Sequence, residues 1–346
     1  RRVSVFTSLP PAPPLPSAAT VHRLRPVFAI GNAPFLPALA SLRDVDVIHL
    51  QHPFIFGTEL LQLARLRGPR PRIVVQYANR LIGEGLRRPL FWGWERTWGR
   101  LLLRTAHRIG VVSLAHGDSV PDIARIRRRA TEKVVETPNG VDLRRFVPGT
   151  DDGELRERHG IPADAIVVAY VTALDRAHWL KRPDLAIEAV ARAGDERLHL
   201  LMVGGGEWVE RLRNHARAAG IAERTTFIGP LGHATLPAAL RASDFLLNTS
   251  DLESFGMVLV EALACGRPVV STATVGARSI VEDGRTGILV PVGDVEALAG
   301  GLLAMAALLP SDRARMGTLG RRVVEQRYDW ERIVDRLDEI YADILA

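Results

Sequence analysis

The chain has 346 residues, 47% of them hydrophobic and 24% charged, which indicates about two soluble globular domains and excludes a disordered chain or a collagen-like fibre. Its one cysteine, Cys265, excludes a disulfide-stapled scaffold and is typical of a protein from the reducing cytoplasm. The net charge is +6, but residues 1–150 hold 23 Lys and Arg against 10 Asp and Glu, whereas residues 151–346 hold 22 against 29. This asymmetry predicts that the first half meets an anionic partner.

The first half alternates short apolar runs with segments of helical spacing. It opens with VSVFTS and a proline-rich stretch, where a strand, a glycine-rich turn and a helix are usual. We therefore expect the true first unit to be missing from this sequence; the alternative is an unusually small domain. The strands predicted next are 45–50, 72–77 and 108–113, with helices at 56–68 and 89–108. This alternation predicts an α/β domain with a parallel sheet.

The helix at 89–108 is rich in tryptophan and leaves two interpretations open. Its spacing predicts one buried face, made of Phe91, Trp94, Trp98, Leu101, Leu102 and Thr105. Trp92 lies off that face beside Arg87 and Arg88, a combination that would suit contact with lipid headgroups. We expect core packing for the face and keep peripheral membrane contact as the alternative for Trp92.

The second half repeats the alternation and predicts another doubly wound α/β domain. Its strand candidates are 165–174, 198–205, 224–229, 244–250 and 267–272. The segment 138–153 is rich in Pro, Gly and Asp and predicts the boundary. We therefore expect domains at 1–150 and 151–328, followed by a crossover helix at 329–346.

The segment SDLESFGMVLVEALACG carries the most informative pair of carboxylates. Glu253 follows a predicted strand, and Glu261 lies eight residues later within a predicted helix. The N-terminus of that helix is formed by Ser254, Phe255, Gly256 and Met257. Free N–H groups there would bind an anion, and each carboxylate would accept hydroxyl groups of a sugar or ribose. The alternative, a solvated loop glutamate and an ordinary helical glutamate, stays open on spacing alone.

A cationic loop follows the strand at 165–174, which is where open α/β sheets bind ligands. It carries Arg176, His178 and Lys181, and Lys181 is one of only two lysines in a chain with 43 arginines. Lys181 as a compact charge and Arg176 as a planar fork would neutralise a diphosphate. The alternative is a solvated, charged helix start.

Two weaker signals complete the candidate site. Gly204, Gly205 and Gly206 follow a strand, and we interpret them as a turn first and as a ligand-binding loop second. We expect His52, at the end of a predicted strand, to line a cleft. His49 lies within the strand, and we expect it to be a core histidine. No cluster of His and carboxylate residues has the spacing of metal ligands, so no metal site is expected.

These motifs, in this order, resemble family 4 of the retaining glycosyltransferases, which have the GT-B fold of two Rossmann-like domains facing across a cleft. The resemblance runs from about Val45 to the C-terminus and is strongest from Val171 to Asp294. It rests on PNGVD, the loop ending at Lys181, VGGGE, ESFGMVLVE, ACGRPVV and DGRTGILVPVGD.

The resemblance implies roles for the matching residues. Lys181 would hold the donor diphosphate, Glu261 the ribose, and Glu253 the transferred sugar beside the N–H groups of 255–257. The donor would be a nucleotide-diphosphate sugar, transferred with retention and without a metal or other cofactor. Glu253, Lys181 and His52 are the residues predicted to act at the reacting sugar.

The sequence also departs from the family pattern. Thr172-Ala173-Leu174 stands where Gly-Arg-Leu is common, which leaves Arg176 or His178 as a replacement for the diphosphate arginine. The usual Lys-Gly reads Lys181-Arg182. Ala78 stands where many relatives have a histidine facing the transferred sugar, a contact that His52 or Asn79 would have to supply.

The resulting hypothesis is a transferase whose acceptor, a lipid, polysaccharide or natural product, docks on the basic first domain. The expected location is the cytoplasm, with the inner membrane face as the alternative. A catalytically impaired sugar-nucleotide-binding protein of the same fold is the second hypothesis, favoured by Ala78 and the absent glycine loop. An oxidoreductase is disfavoured because G-x-G-x-x-G is absent, and nucleic acid is not expected because no recognition motif accompanies the charge.

Overall fold

The computed structural model describes residues 2–8, 19–30, 33–42, 45–65, 71–79, 87–149 and 153–346. They form two compact units: Arg1–Glu136 with Asp338–Ala346 (unit 1), and Thr137–Leu337 (unit 2). The proline-rich stretch and the side chains of Arg87 and Arg88 lie outside the described residues, so the predictions made for them do too.

Unit 1 is built on a parallel sheet, as predicted. Its strands are β1 (Ser4–Thr7), β2 (Thr20–Arg23), β3 (Phe28–Ile30), β4 (Ala33–Phe35), β5 (Val47–His52), β6 (Arg72–Tyr77), β7 (Arg108–Val111) and β8 (Val134–Glu136). β5 to β8 form a four-stranded parallel sheet in chain order. β1 pairs with β2 in parallel, and β3 pairs with β4 antiparallel.

The helices of unit 1 correct one sequence prediction. They are α1 (Gly57–Ala64), α2 (Arg87–Trp94), α3 (Arg100–Thr105), α4 (Leu114–Ser119) and α5 (Pro121–Arg129), with 3-10 turns at Pro37–Ser41 and Thr131–Lys133. A π-helical segment, Glu95–Gly99, joins α2 to α3. Its wider turn shifts the helical phase, so Leu102 and Leu103 are buried and Leu101, predicted on the buried face, is exposed. Trp94 is buried as predicted.

Unit 2 contains a six-stranded, wholly parallel sheet. Its strands are β9 (Ile166–Val171), β10 (Leu198–Val203), β11 (Thr225–Gly229), β12 (Phe245–Asn248), β13 (Val269–Thr272) and β14 (Gly287–Val290). The strand order is β11-β10-β9-β12-β13-β14. Every residue of β10 is buried, and all but His199 are apolar, because helices cover both faces of such a sheet.

The remaining helices follow in chain order. They are α6 (Glu154–Arg158), α7 (Pro183–Ala193), α8 (Val209–Ala218), α9 (Leu236–Arg241), α10 (Met257–Ala264), α11 (Val275–Ile280), α12 (Val295–Ala307), α13 (Pro310–Arg327) and α14 (Trp330–Leu345), with 3-10 turns at Arg176–Lys181 and Ala222–Arg224. In the described part of the chain no single helix is long and apolar enough to cross a bilayer; α12 and α13 meet that test only as a pair bent by 110°.

The boundary between the units differs from the predicted residue 150. The segment 137–149 packs in unit 2, where Val141 bridges to Asp329 and Phe146 is buried. α14 begins in unit 2, and its residues from Asp338 belong to unit 1. There the Tyr341 hydroxyl lies 2.5 Å from His49 Nδ1.

A close contact joins α13 to the end of α10. A Cβ atom at Gly317 would lie 1.8 Å from the carbonyl oxygen of Gly266, and one at Gly320 would lie 2.4 Å from Leu263 Cδ2. The two helices therefore approach each other at a distance that only glycine permits.

We expect Gly317→Ala to destabilise the protein by roughly 1–3 kcal/mol, because the added methyl group forces α13 away from the backbone of Gly266. Gly300→Ala is the matched control, since nothing lies within 4 Å of a Cβ atom at this exposed position of α12. Alanine there should stabilise by about 0.5–1 kcal/mol. Urea denaturation measures both; similar effects of the two substitutions would contradict the close contact.

Candidate functional site

The candidate site lies at the carboxyl edge of the unit 2 sheet, between β9 and β12. From β9 the chain proceeds to β10 on one side, whereas β12 and the later strands lie on the other side. The loops that follow β9 and β12 therefore diverge and leave a crevice, the usual ligand position in open parallel sheets. Lys181 comes from the first loop and Glu253 from the second.

Lys181 and Glu253 form an ion pair across this crevice. The Lys181 ammonium donates to Glu253 Oε2, and the side chains are 31% and 13% exposed. An ammonium has three donors and a carboxylate about four acceptor positions. Both groups therefore keep hydrogen-bonding capacity for a ligand while they hold each other in place.

Buried hydroxyl groups fix the backbone of the lysine loop. The carbonyl oxygen of Lys181 accepts hydrogen bonds from the Tyr170 hydroxyl at 2.6 Å and from Thr249 Oγ1 at 3.0 Å. Burial raises the pKa of Tyr170 above its usual range, so this hydroxyl stays a donor. β9, through Tyr170, and the segment after β12, through Thr249, thus both position Lys181.

The segment that leads into α10 carries further backbone donors. Gly256 precedes the helix with φ = 106°, and a Cβ atom at Gly276 would lie 2.3 Å from the carbonyl oxygen of Phe255, so α11 packs tightly beneath this segment. Among the described residues, the N–H groups of Phe255, Gly256 and Met257 donate to no protein acceptor. We refer to these three groups as the α10 amides; they can bind an anion.

Glu261 lies about one turn into α10 and is 5% exposed. Burial raises the pKa of its carboxyl group to about 7. The exposed His233 lies beside this carboxyl group, with its Nδ1 3.5 Å from Glu261 Oε1. The sequence analysis missed His233, because a single histidine in the turn before α9 belongs to no pattern.

Arg176 and His178 lie on the same 3-10 turn as Lys181, and both are exposed. Asp175 caps this turn and accepts hydrogen bonds from the His178 backbone at 3.0 Å and from the His178 ring at 2.7 Å. The ring contact lowers the pKa of Asp175. The Arg176 N–H donates to Glu207 at 2.9 Å, which connects the turn to the loop after β10.

The glycines after β10 are required by backbone packing. Cβ atoms at Gly204 and Gly206 would lie 1.7 Å from the carbonyl oxygen of Thr172 and 2.3 Å from that of Leu174. Gly205, between them, would meet Pro230 at 3.1 Å. The loop therefore lies directly against the segment after β9, and its role toward a ligand stays a prediction.

His52 and Ala78 lie at the carboxyl edge of the unit 1 sheet. His52 ends β5, is 4% exposed and stacks on Tyr77 with 4.5 Å between ring centroids. Burial lowers the pKa of His52 to about 4, so the ring is neutral at pH 7. Ala78 is half-buried and directly follows Tyr77, the partner of His52 in the sheet register. The two residues are thus neighbours, and their action on a sugar stays a prediction.

The described residues contain no group of three or more His, Cys, Asp or Glu placed to hold a metal ion. The polar groups described for the candidate site are an ammonium, a guanidinium, carboxylates, backbone amides and imidazole rings. This set suits the phosphate and hydroxyl groups of a ligand.

Two protein families match the chain. The family described as "Glycosyl transferases group 1" matches residues 151–323, and "Glycosyltransferase Family 4" matches residues 2–145. Together these matches cover nearly the whole sequence, including every residue of the candidate site.

Several curated proteins named D-inositol 3-phosphate glycosyltransferase are similar to the chain. That of Saccharomonospora viridis is 33% identical over 297 residues, covering 73% of this chain and 68% of the relative. That of Geodermatophilus obscurus is 38% identical over 220 residues, covering 60% and 47%. The chain thus spans between about half and two thirds of the length of these relatives.

Solved structures match in fold. Sucrose-phosphate synthase from Thermosynechococcus elongatus has a TM-score of 0.79 at 23% identity, covering 99% of this chain and 89% of that one. Anabaena HepE, in complex with UDP-glucose, has a TM-score of 0.76 at 24% identity, covering 94% and 86%. These matches confirm the predicted GT-B fold.

The buried Glu261 predicts a pH-dependent stability. Its pKa is about 7 in the folded chain against 4.5 in the unfolded chain, so the folded protein binds more protons between these values and loses stability as the pH rises. At pH 8 the ionised group costs roughly 3 kcal/mol. We expect Glu261→Gln to gain most of that energy at pH 8 and much less at pH 5.

Urea denaturation at pH 5 and pH 8 measures this difference. Glu196→Gln is the control, because Glu196 is exposed in the same unit and should change stability little at either pH. An equal gain for Glu261→Gln at both pH values would mean that the carboxyl group is not protonated in the folded protein.

Proposed function

Since this chain belongs to the family-4 glycosyltransferases, we propose that it is a retaining, metal-independent enzyme, which moves a sugar from a nucleotide-diphosphate sugar to an acceptor hydroxyl. The observation that carries this proposal is the ion pair of Lys181 and Glu253 at the β9/β12 crevice, beside the α10 amides. A cation, backbone donors and a carboxylate match the diphosphate and the sugar hydroxyls of such a donor.

Each group of the site would bind one part of the donor. Lys181 would contact the diphosphate together with the α10 amides, and Glu253 would accept hydrogen bonds from the sugar hydroxyls. Glu261 would accept those of the ribose. Anabaena HepE is solved with UDP-glucose, so we propose a UDP-sugar as the first donor to test.

The transfer proposed here needs no protein nucleophile. The bond from the sugar to the diphosphate oxygen breaks, and a bond to the acceptor oxygen forms on the same face. The acceptor proton passes to the departing phosphate oxygen. Lys181 and the α10 amides would stabilise the negative charge that develops on the diphosphate, which is the main way such a site lowers the barrier.

The acceptor we propose is anionic. Residues 1–150 carry 23 Lys and Arg against 10 Asp and Glu. The relatives named D-inositol 3-phosphate glycosyltransferase have a phosphorylated acceptor in their name. Inositol 3-phosphate is therefore the first acceptor to assay, with unphosphorylated inositol as its comparison.

A donor-binding test follows from Lys181. We expect Lys181→Ala to weaken UDP binding about 10- to 100-fold, since a charge-assisted hydrogen bond is worth about 1.5–3 kcal/mol, and to change UMP binding little. Lys133→Ala, at the other lysine of the chain, should leave both affinities unchanged. Isothermal titration calorimetry measures all four; an equal loss of UDP and UMP affinity would place the diphosphate elsewhere.

A catalytically impaired donor-binding protein is the second candidate, and Ala78 favours it. The resembling family commonly has a histidine there, and the imidazole of His52 on the adjacent strand is buried and stacked on Tyr77. A methyl side chain cannot hold a sugar hydroxyl, so in this case the donor would bind while transfer stayed slow.

Ala78→His separates the two candidates. In an impaired protein, we expect kcat with UDP-glucose to rise on the order of 100-fold, because one positioning contact is worth about 2–4 kcal/mol of barrier, with donor affinity nearly unchanged. Gln51→His, exposed on β5, controls for an added imidazole. Efficient turnover of the unmodified chain, lowered by Ala78→His, would exclude the impaired candidate.

A further inference from the structure

Arg182 adopts a backbone conformation that its residue type disfavours. Its φ and ψ angles are 54° and 57°, and the other described non-glycine residue with a positive φ is Phe56. The left-handed region costs most residues about 1 kcal/mol or more and favours glycine. Something must therefore hold Arg182 in place at the start of α7.

The Arg182 guanidinium connects the two loops of the candidate site. Its Nε and Nη2 donate to Asp184 at 3.0–3.1 Å, and its Nη1 donates to Asp251 at 3.2 Å. Asp184 lies in the first turn of α7, whereas Asp251 lies in the loop after β12. One side chain thus joins loops that are 69 residues apart in sequence.

Backbone hydrogen bonds act beside this ion pair. Thr249 Oγ1 shares its one proton between the carbonyl oxygens of Arg182, at 2.7 Å, and Lys181, at 3.0 Å. The Asp251 N–H donates to the carbonyl oxygen of Leu180 at 2.8 Å. The two carboxylates raise the pKa of Arg182, so its fork remains charged at every relevant pH. Hydrogen bonds and ion pairs therefore both connect the loop that holds Lys181 to the loop after β12.

Lys181 directly precedes Arg182, and Glu253 lies two residues after Asp251. We propose that Arg182 is a positioning residue, whose fork to Asp184 and Asp251 sets the alignment of Lys181 with Glu253 and thereby the diphosphate-binding geometry. The functional part of this inference rests on the proposed function.

Three substitutions test the contacts of the Arg182 guanidinium with Asp184 and Asp251, which we refer to as the clamp. Arg182→Gly removes the side chain while glycine adopts the same backbone angles without strain. Arg182→Lys keeps the charge but loses the planar fork, and Asp251→Asn keeps the shape of the partner but loses its charge. Arg192→Lys and Glu296→Gln are matched controls, because their ion pair of 2.6 Å lies at the other end of α7.

The first measurement needs no nucleotide. The chain has two lysines, so ¹³Cε-lysine labelling gives two NMR signals, assigned by Lys133→Arg. We expect Arg182→Gly and Asp251→Asn, which add no third lysine, to move the Lys181 signal, to leave that of Lys133 in place and to leave thermal unfolding nearly unchanged. An unmoved Lys181 signal would overturn the proposal even if the chain bound no nucleotide.

The second measurement uses UDP and UMP. We expect the clamp variants to bind UDP about tenfold more weakly, to bind UMP as before, and to lose turnover by up to about 100-fold, because misplacement on the ångström scale has that effect. Equal losses for UDP and UMP, accompanied by a lower melting temperature, would reduce Arg182 to a structural role. Failure of the unsubstituted chain to bind UDP would refute the proposed function. The Lys181 NMR signal would still show whether Arg182 sets the alignment of Lys181 with Glu253.

Discussion

The parallel pairing of β9 with β12 is the constraint on which the candidate site depends. β9 is the first strand of unit 2, and the chain reaches β12 only after two further strands have been added on the other side. The loops after these two adjacent strands therefore meet at one edge while their helices diverge. Lys181 and Glu253, 72 residues apart in sequence, form an ion pair for this reason.

The two carboxylates of the segment 253–261 lie in different electrostatic environments. Glu253 has the Lys181 ammonium beside it, so its charge is compensated in the loop. Glu261 is buried in α10 beside the exposed imidazole of His233, and burial raises its pKa to about 7. A ligand that donates hydroxyl groups to Glu261 would favour the ionised form, so ligand binding at this residue and proton release are linked.

Backbone contact without intervening side chains recurs around the crevice. Gly204 and Gly206 let the loop after β10 lie against the segment after β9, and Gly276 lets α11 lie against the segment before α10. Buried hydroxyls of Tyr170 and Thr249 then hold the lysine loop from two sides. Contacts of this kind hold the loops in place without a ligand, and preorganisation lowers the cost of binding.

The sequence by itself determined the α/β class, the strands β5 to β7 and β9 to β13, and the residue types at the strand ends. These features are local, because strand and helix periodicity and the turn residues are properties of neighbouring positions. Lys181, Glu253 and Glu261 were likewise identified from residue type and spacing along the chain, because they match family motifs.

Tertiary structure alone decided which of these residues meet. The pairing of Lys181 with Glu253, the approach of His233 to Glu261 and the fork from Arg182 to Asp251 each join segments distant in sequence. Sequence periodicity also did not predict the π-helical turn that exposes Leu101 or the packing of 137–149 in unit 2. The physical reason is the same in each case: sheet order and helix packing set these contacts, and no local pattern encodes them.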